Sequence, residues 1–216
     1  MTLPNFVRGQ GERIVKSFNF IEEATGQAFL VLYGGETQTG GILSGNEFYS
    51  DEIVERISGV SAEAVWTTLV DKDYDVIIGQ SIRVNDTTAT VTVTMGAFDD
   101  GGGDTDFRIT ASVIHYDGTT ETILGTATSS ESTFTLNNNT RSETKAISIS
   151  LSRKTFKKGE TLRLSLLMEH KGSDADYAGF GQDPKDRNDN GTAGVDKIIN
   201  DSDTTQLVLN LPIRTQ

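Results

Sequence analysis

The sequence predicts an all-β chain: an antiparallel β-sandwich, jelly-roll-like, with an N-terminal hairpin or arm and one or two short helices in a long connection. Three observations carry that expectation. Apolar residues recur at every second position in several runs, turn residues punctuate those runs at short intervals, and none of the 216 residues is cysteine. Strand side chains alternate between two faces, so a period of two means one buried and one solvated side. Without cysteine, a packed core and not a covalent framework must hold the fold, and a chain of this length buries enough surface to do so.

The amino-terminal 35 residues hold two apolar segments, Ile14–Ile21 and Ala28–Tyr33, separated by Glu22-Glu23-Ala24-Thr25-Gly26 and closed by Gly34-Gly35. A hairpin is the natural expectation for 1–35, as part of the sandwich or as a projecting arm. Residues 36–70 read as a connecting segment. Within it Ser50-Asp51-Glu52, followed by Ile53, Val54 and Ile57, has the form of a capped helix start that Gly59 would end quickly. Residues 71–216 form the expected sandwich. Ala89, Val91, Val93 and Met95 alternate with threonines; Phe107, Ile109, Ala111 and Val113 repeat the pattern; Ile147, Ile149 and Leu151 alternate with serines. Leu162, Leu164, Leu166 and Met168 follow, then Leu207, Leu209 and Leu211. Asp117-Gly118 is a two-residue hairpin signal, Asn137-Asn138-Asn139 separates two short strands, and Phe98–Asp106 is a Gly- and Asp-rich loop between long ones. Residues 172–203, rich in Asp, Asn and Gly, predict a long acidic loop of the kind that carries function.

Charge narrows the function classes. The net charge is −12, and Arg153-Lys154 with Lys157-Lys158 is a small basic group, so direct nucleic-acid binding is disfavoured. No stretch reaches the ~20 apolar residues of a membrane-spanning helix. Residues Met1–Asn5 lack the basic and apolar regions of a signal peptide, so synthesis in a cytoplasm is expected.

Chemistry-bearing residues are sparse. His115 and His170, the two histidines, stand at or near strand ends without a partner at ligand or triad spacing, and are expected to be ordinary surface or strand-end residues. Asp71, Asp73 and Asp75 would share one face of a strand, as a charged strand entry. Asp186, Asn188 and Asn190 at alternate positions before Gly191 match the opening of a calcium loop, with Thr192 and Asp196 as further oxygen ligands. The twelfth position is Lys197, where a bidentate glutamate belongs, so a solvated Asn/Asp/Gly turn accounts for the same residues. Gly101-Gly102-Gly103 lacks the Gly-Lys-Ser/Thr of a phosphate loop and is flanked by aspartates. Tyr177 and Phe180 are the aromatics a ligand-binding loop would use, and Phe18, Phe20, Phe29, Leu30 and Leu32 the apolar residues for assembly contacts. No catalytic residues emerge, and a non-enzyme is expected.

Three stretches resemble β-sandwich virion proteins of tailed phages found in environmental bacteriophages. The first runs from Ser17-Phe18-Asn19-Phe20 through Ala24-Thr25-Gly26 to Tyr33-Gly34-Gly35. The second runs from Phe107 to Gly125 around Tyr116-Asp117-Gly118, with Phe156–Leu164 and its Lys158-Gly159-Glu160-Thr161-Leu162 in the same style. The third joins Asp183-Pro184 and Arg187 to Leu207–Ile213. Residues 36–70 fall outside it. The resemblance implies a capsid decoration, cement or minor capsid protein, or a tail-associated one. It implies a symmetric homo-oligomer, trimeric or higher, in contact with the major capsid protein or other virion proteins. A carbohydrate- or receptor-binding module of a tail or baseplate is the alternative.

Overall fold

A computed structural model describes residues 27–215 of the chain. Fourteen strands and no helix are present among them. The first four are β1 (Gln27–Thr37), β2 (Gly40–Ser44), β3 (Val54–Val60) and β4 (Glu63–Ile77). β5 (Ile82–Val84) leads into the long pair β6 (Thr87–Asp99) and β7 (Gly103–Tyr116), followed by β8 (Glu121–Thr128) and β9 (Ser132–Leu136). β10 (Asn139–Leu151), β11 (Lys154–Phe156), β12 (Thr161–Gly172), β13 (Ala175–Gly181) and β14 (Leu207–Thr215) complete the set.

The all-β expectation is met, and the strands join into a single hydrogen-bonded network in the order β3-β13-β6-β14-β1-β2-β4-β12-β7-β8. β10 pairs with β6, β9 with β7, and β5 bridges β11 and β14. The pairings are antiparallel apart from a short parallel contact of β2 with β4 at Ile42 and Asp75. The network folds over on itself. Its far strand β8 returns to the end of β10, where Ser152 N–H donates to Leu124 O at 2.8 Å. A Cβ on Gly125 would stand 2.2 Å from Ser150 O, so β8 needs glycine there for its backbone to approach.

One apolar cluster fills the fold. The alternating residues of β6, β7, β10, β12 and β14 point into it, and Val91, Val93, Ile109, Leu164, Leu166 and Leu209 are fully buried. Each such side chain contributes about 1.5–3 kcal/mol relative to exposure. Residues 27–35 lie in the centre of the network, where Leu30 pairs with Leu211 and Leu32 with Leu209; they form an integral strand and not a projecting arm. Residues 1–26, including Phe18, Phe20 and Ile14–Ile21, lie outside the described residues.

Other expectations are corrected. No helix forms in 50–69: Val54–Val60 pairs with β13 and Glu63–Ile77 with β12. Ser50 does not cap; its Oγ accepts Glu36 N–H at 2.8 Å and donates to Glu52 O, tying the segment to β1. Gly59 adopts φ +68 as an irregularity within β3, not at a helix end. The Asp117-Gly118 turn spans four residues, since Tyr116 pairs with Glu121 and Asp117 Oδ1 accepts the Thr119 and Thr120 N–H groups. The Gly-rich connection shortens to 100–102, because pairing carries β6 to Asp99 and β7 back to Gly103. The acidic loop begins later than 172, since Ala175–Gly181 enters the network between β3 and β6. The long connection is 182–206.

Candidate functional site

The 182–206 connection covers one end of the outer face of β13, β6 and β10, and its own acids hold it there. Gly179 and Gly96 face each other across β13 and β6. A Cβ on Gly96 would stand 1.9 Å from Ile198 O, so the bare backbone lets the loop lie directly on the sheet. Ile198 and Ile199 are buried with Ile53 and Val54 in a small second apolar cluster, against which Tyr177 packs. Thr140 Oγ1 donates to Lys197 O at 2.7 Å, and Ser142 Oγ bonds to the Asp203 carboxylate and accepts Asn200 N–H at 3.0 Å.

Asp189 is the hub. Its side chain is fully buried, and it accepts Arg56 Nη2 at 2.7 Å together with the N–H groups of Gly191, Ile198 and Ile199 at 2.8, 2.8 and 3.0 Å. Arg56 reaches from β3 and uses its other terminal nitrogen on Asp196 Oδ2 at 2.9 Å. Asp183 plays the same part at the loop's start. It accepts the Arg187 backbone N–H at 2.7 Å and is gripped at both oxygens by the Arg187 guanidinium. That pairing holds the Arg187 pKa above the ordinary arginine value, against the partial burial that would lower it.

Two of the five expected calcium ligands, Asp186 and Asp196, already have partners within the protein. Asp186, at φ 52, accepts Thr205 N–H and Thr204 Oγ1, both at 2.7 Å. Asp196 Oδ1 accepts Thr192 N–H at 2.6 Å, while Asn188, Asn190 and Thr192 are exposed. The even-numbered residues that match the motif point outward and the odd Asp189 points inward, onto a guanidinium where a calcium loop would hold its ion. Among the described residues, one acidic group brings ligand atoms close together: Asp99, Asp100 and Asp176. Within it Asp99 accepts Gly102 N–H and Asp176 accepts Asp100 N–H.

Beneath the loop lies a polar chain. Tyr74 is buried and donates to Gln182 Oε1 at 2.6 Å; Glu55 and Glu36 flank Lys72 Nζ at 2.8 and 2.9 Å. Burial, with Glu55 and Glu36 nearby, pushes the Tyr74 phenol well above its usual pKa. Burial alone would lower Lys72, but the two carboxylates outweigh it and raise it. A shallow cleft of about 170 Å³ opens beside them, lined by Glu52, Val54, Glu55, Arg56 and Asn190. It is smaller than the ~300–1,000 Å³ of small-molecule sites, and its charged walls Glu55 and Arg56 are already paired.

The remaining candidate residues fall as follows. Phe180 is fully buried in the core, so it offers no ligand face, and Tyr177 is half-buried. Leu30 and Leu32 are also core residues, because the pleat turns them inward. Phe29, 61% exposed, alternates outward. Both histidines are buried and not on the surface. His115 Nε2 lies 2.7 Å from Glu160 Oε2, and His170 sits between two carbonyls, with Nε2 2.9 Å from Ser61 O and Nδ1 3.3 Å from Thr67 O. Asp73 and Asp75 sit within β4, paired to Arg163 at 3.0 and 2.7 Å. Arg56, Asp189, Tyr74 and Gln182 were absent from the sequence-derived candidates. Nothing local marks them, since partners such as Arg56 and Asp189 lie 133 residues apart.

No family model matches the sequence, and no curated protein matches it. Solved structures share its fold at low identity. An aminopeptidase from the marine sediment archaeon Thaumarchaeota archaeon aligns with TM-score 0.52 and 9% identity, over 88% of this chain and 37% of that one. An α-amino acid ester hydrolase aligns with TM-score 0.51 and 11% identity, over 86% and 36%. A CocE/NonD family hydrolase from Staphylococcus aureus gives 0.45 and 11%, over 72% and 36%. The protein thus spans little more than a third of the length of these chains, and what it shares with the first two is an all-β fold.

Proposed function

We propose that the protein is a non-enzymatic structural component of a bacteriophage virion, a capsid decoration, cement or minor capsid protein that acts through contacts between symmetric copies. It would be made in the host cytoplasm and incorporated into particles with the major capsid protein. The resemblance of its strand-and-turn stretches to phage virion proteins supports the class. The observation that carries the reading is the locked acidic loop: Asp183, Asp186, Asp189 and Asp196 all accept hydrogen bonds from the protein itself. Such a loop serves as rigid relief on a surface, and the histidines contribute to packing and not to a nucleophile–base pair. The fold shared with hydrolases carries no activity across, since fold and function separate readily. Density-gradient purification of particles from infected host tests the reading. The protein is expected to band with the capsid; confinement to the soluble lysate would sink the proposal.

Tyr49 favours a second reading, a carbohydrate- or receptor-binding module. It is 72% exposed, with the Arg187 guanidinium 5.3 Å from its ring centroid, an aromatic platform beside the loop. Glycan-array binding lost on Tyr49→Ala would favour this over the structural role.

A further inference from the structure

The two outer faces of the network differ in charge. On β4, β12, β7 and β8, Arg163 is bound to Asp73, Asp75 and Glu121, Arg108 to Glu169, and Lys171 to Asp106. Trp66 lies beneath the Arg108 and Lys171 cations on that same face.

The outer face of β10, β6, β14 and β1 carries no such charges along its middle. One row runs in register from Ser148 through Thr90 and Asn210 to Val31. The next row, from Ala146 through Thr92 and Val208 to Tyr33, is uncharged as well. Beyond them Phe29 lies opposite Pro212. Phe29 and Val31 are among the exposed large apolar residues, at 61% and 38%. The acidic loop covers one end of this face over Gly96 and Ser142 and stops short of these rows. Charges reappear at the rim, in Arg83 and Arg214 and in the Asp86–Arg153 pair.

We infer that this uncharged face is where a second copy of the chain docks. Charge selects the occupant. A chain of net charge −12 repels its own copies wherever acids meet, and a two-fold contact places like residues near like. A face without charges is the surface on which two copies meet without that penalty, whereas a basic partner would be served by an acidic one. The bare rows cover roughly 19 by 24 Å at the usual strand and residue spacings, about 450 Å² per copy. That is below the ~800 Å² per partner of a standard stable interface, so a reversible, concentration-dependent dimer is expected. The inference stands independently of the virion reading, since it concerns self-association in solution.

Sedimentation velocity of the full chain, from about 10 to 300 μM, tests it. Dimerisation is expected, strengthened by added salt as the net repulsion is screened. Thr90→Asp with Ser148→Asp places four carboxylates at the centre of a two-fold contact and should weaken the dimer at least about tenfold. Val31→Lys should weaken it too, with circular dichroism confirming that each variant is folded. Ile123→Asp, at an exposed position on the charged side, should leave it unchanged. A wild-type chain that stays monomeric throughout, a dimer indifferent to both variants of the uncharged face, or one weakened equally by Ile123→Asp would overturn the assignment. Absence from virions would leave it intact.

Discussion

Arg56 on β3 and Asp189 in the 182–206 connection meet at 2.7 Å, and the carboxylate so held also binds three backbone N–H groups. One buried side chain thereby satisfies four donors and fixes both the loop's path and its seat on the sheet. Removing one member of a buried, hydrogen-bonded pair leaves the others uncompensated. Asp189→Ala is expected to destabilise the protein by about 3 kcal/mol in urea unfolding. Arg56→Ala should cost less, because Asp189 would keep its three backbone donors. An equal loss for the two variants would show that the guanidinium, and not the backbone, is what Asp189 serves.

Calcium should not stabilise the protein. Asp186 and Asp196 are occupied by Thr205 N–H and by Arg56 with Thr192 N–H, so an ion would have to displace bonds already made. The melting temperature is expected to be the same in chelator and in millimolar calcium. A rise on adding calcium that Asp186→Asn removes would contradict this.

Gly96→Ala should loosen the loop. The added methyl meets Ile198 O at 1.9 Å, and a backbone carbonyl cannot rotate aside as a flexible side chain can. Overpacking of this kind costs about 1–3 kcal/mol. Limited proteolysis is expected to cut within 182–206 faster in the variant, with the strands intact.

How far this was legible in advance depended on range. Leu162, Leu164, Leu166 and Met168 all point inward as their period of two requires, because pleat direction is set locally. The same rule, carried along β1, places Leu30 and Leu32 inside and Phe29 outside, so the three apolar neighbours do not share one contact face. Residues 50–60 misled for a different reason. Acids after Ser50 mimic a helix cap, but pairing of β3 with β13, more than 100 residues on, overrode that local preference. The loop's organisation was illegible, since Arg56 reaches Asp189 through tertiary folding and no spacing encodes it. The uncharged outer face appears once register aligns Ser148, Thr90, Asn210 and Val31 from four separated segments.

Acid should destabilise the fold through three carboxylates. Glu143 is partly buried, which alone would raise its pKa, but hydrogen bonds from Lys145 and Ser132 hold it below the usual value. Asp117 is lowered by the Thr120 and Thr119 N–H groups, and Glu160 by His115 and the Lys157 N–H. A folded-state pKa below the unfolded one gives stability that is fully present above the unfolded pKa and lost as pH falls through the folded one. These groups should therefore leave stability level from pH 7 to 5 and reduce it below about pH 4.5, near the unfolded carboxylate values. Glu160→Gln should narrow the difference between pH 6 and pH 3.5 melting temperatures; an unchanged difference would remove Glu160 from the explanation.

Tyr74→Phe isolates the polar chain under the loop. It removes the hydroxyl that donates to Gln182 Oε1 at 2.6 Å and leaves a buried acceptor short of a partner. A loss of about 1–3 kcal/mol is expected in denaturant unfolding. No measurable change would mean that Gln182 finds another donor.

A structural role in the particle is tested most directly by counting copies. Quantitative mass spectrometry of gradient-purified virions should find the chain at a fixed ratio to the major capsid protein, reproducible between preparations. A ratio that falls towards zero with each round of purification would contradict a part built into the shell.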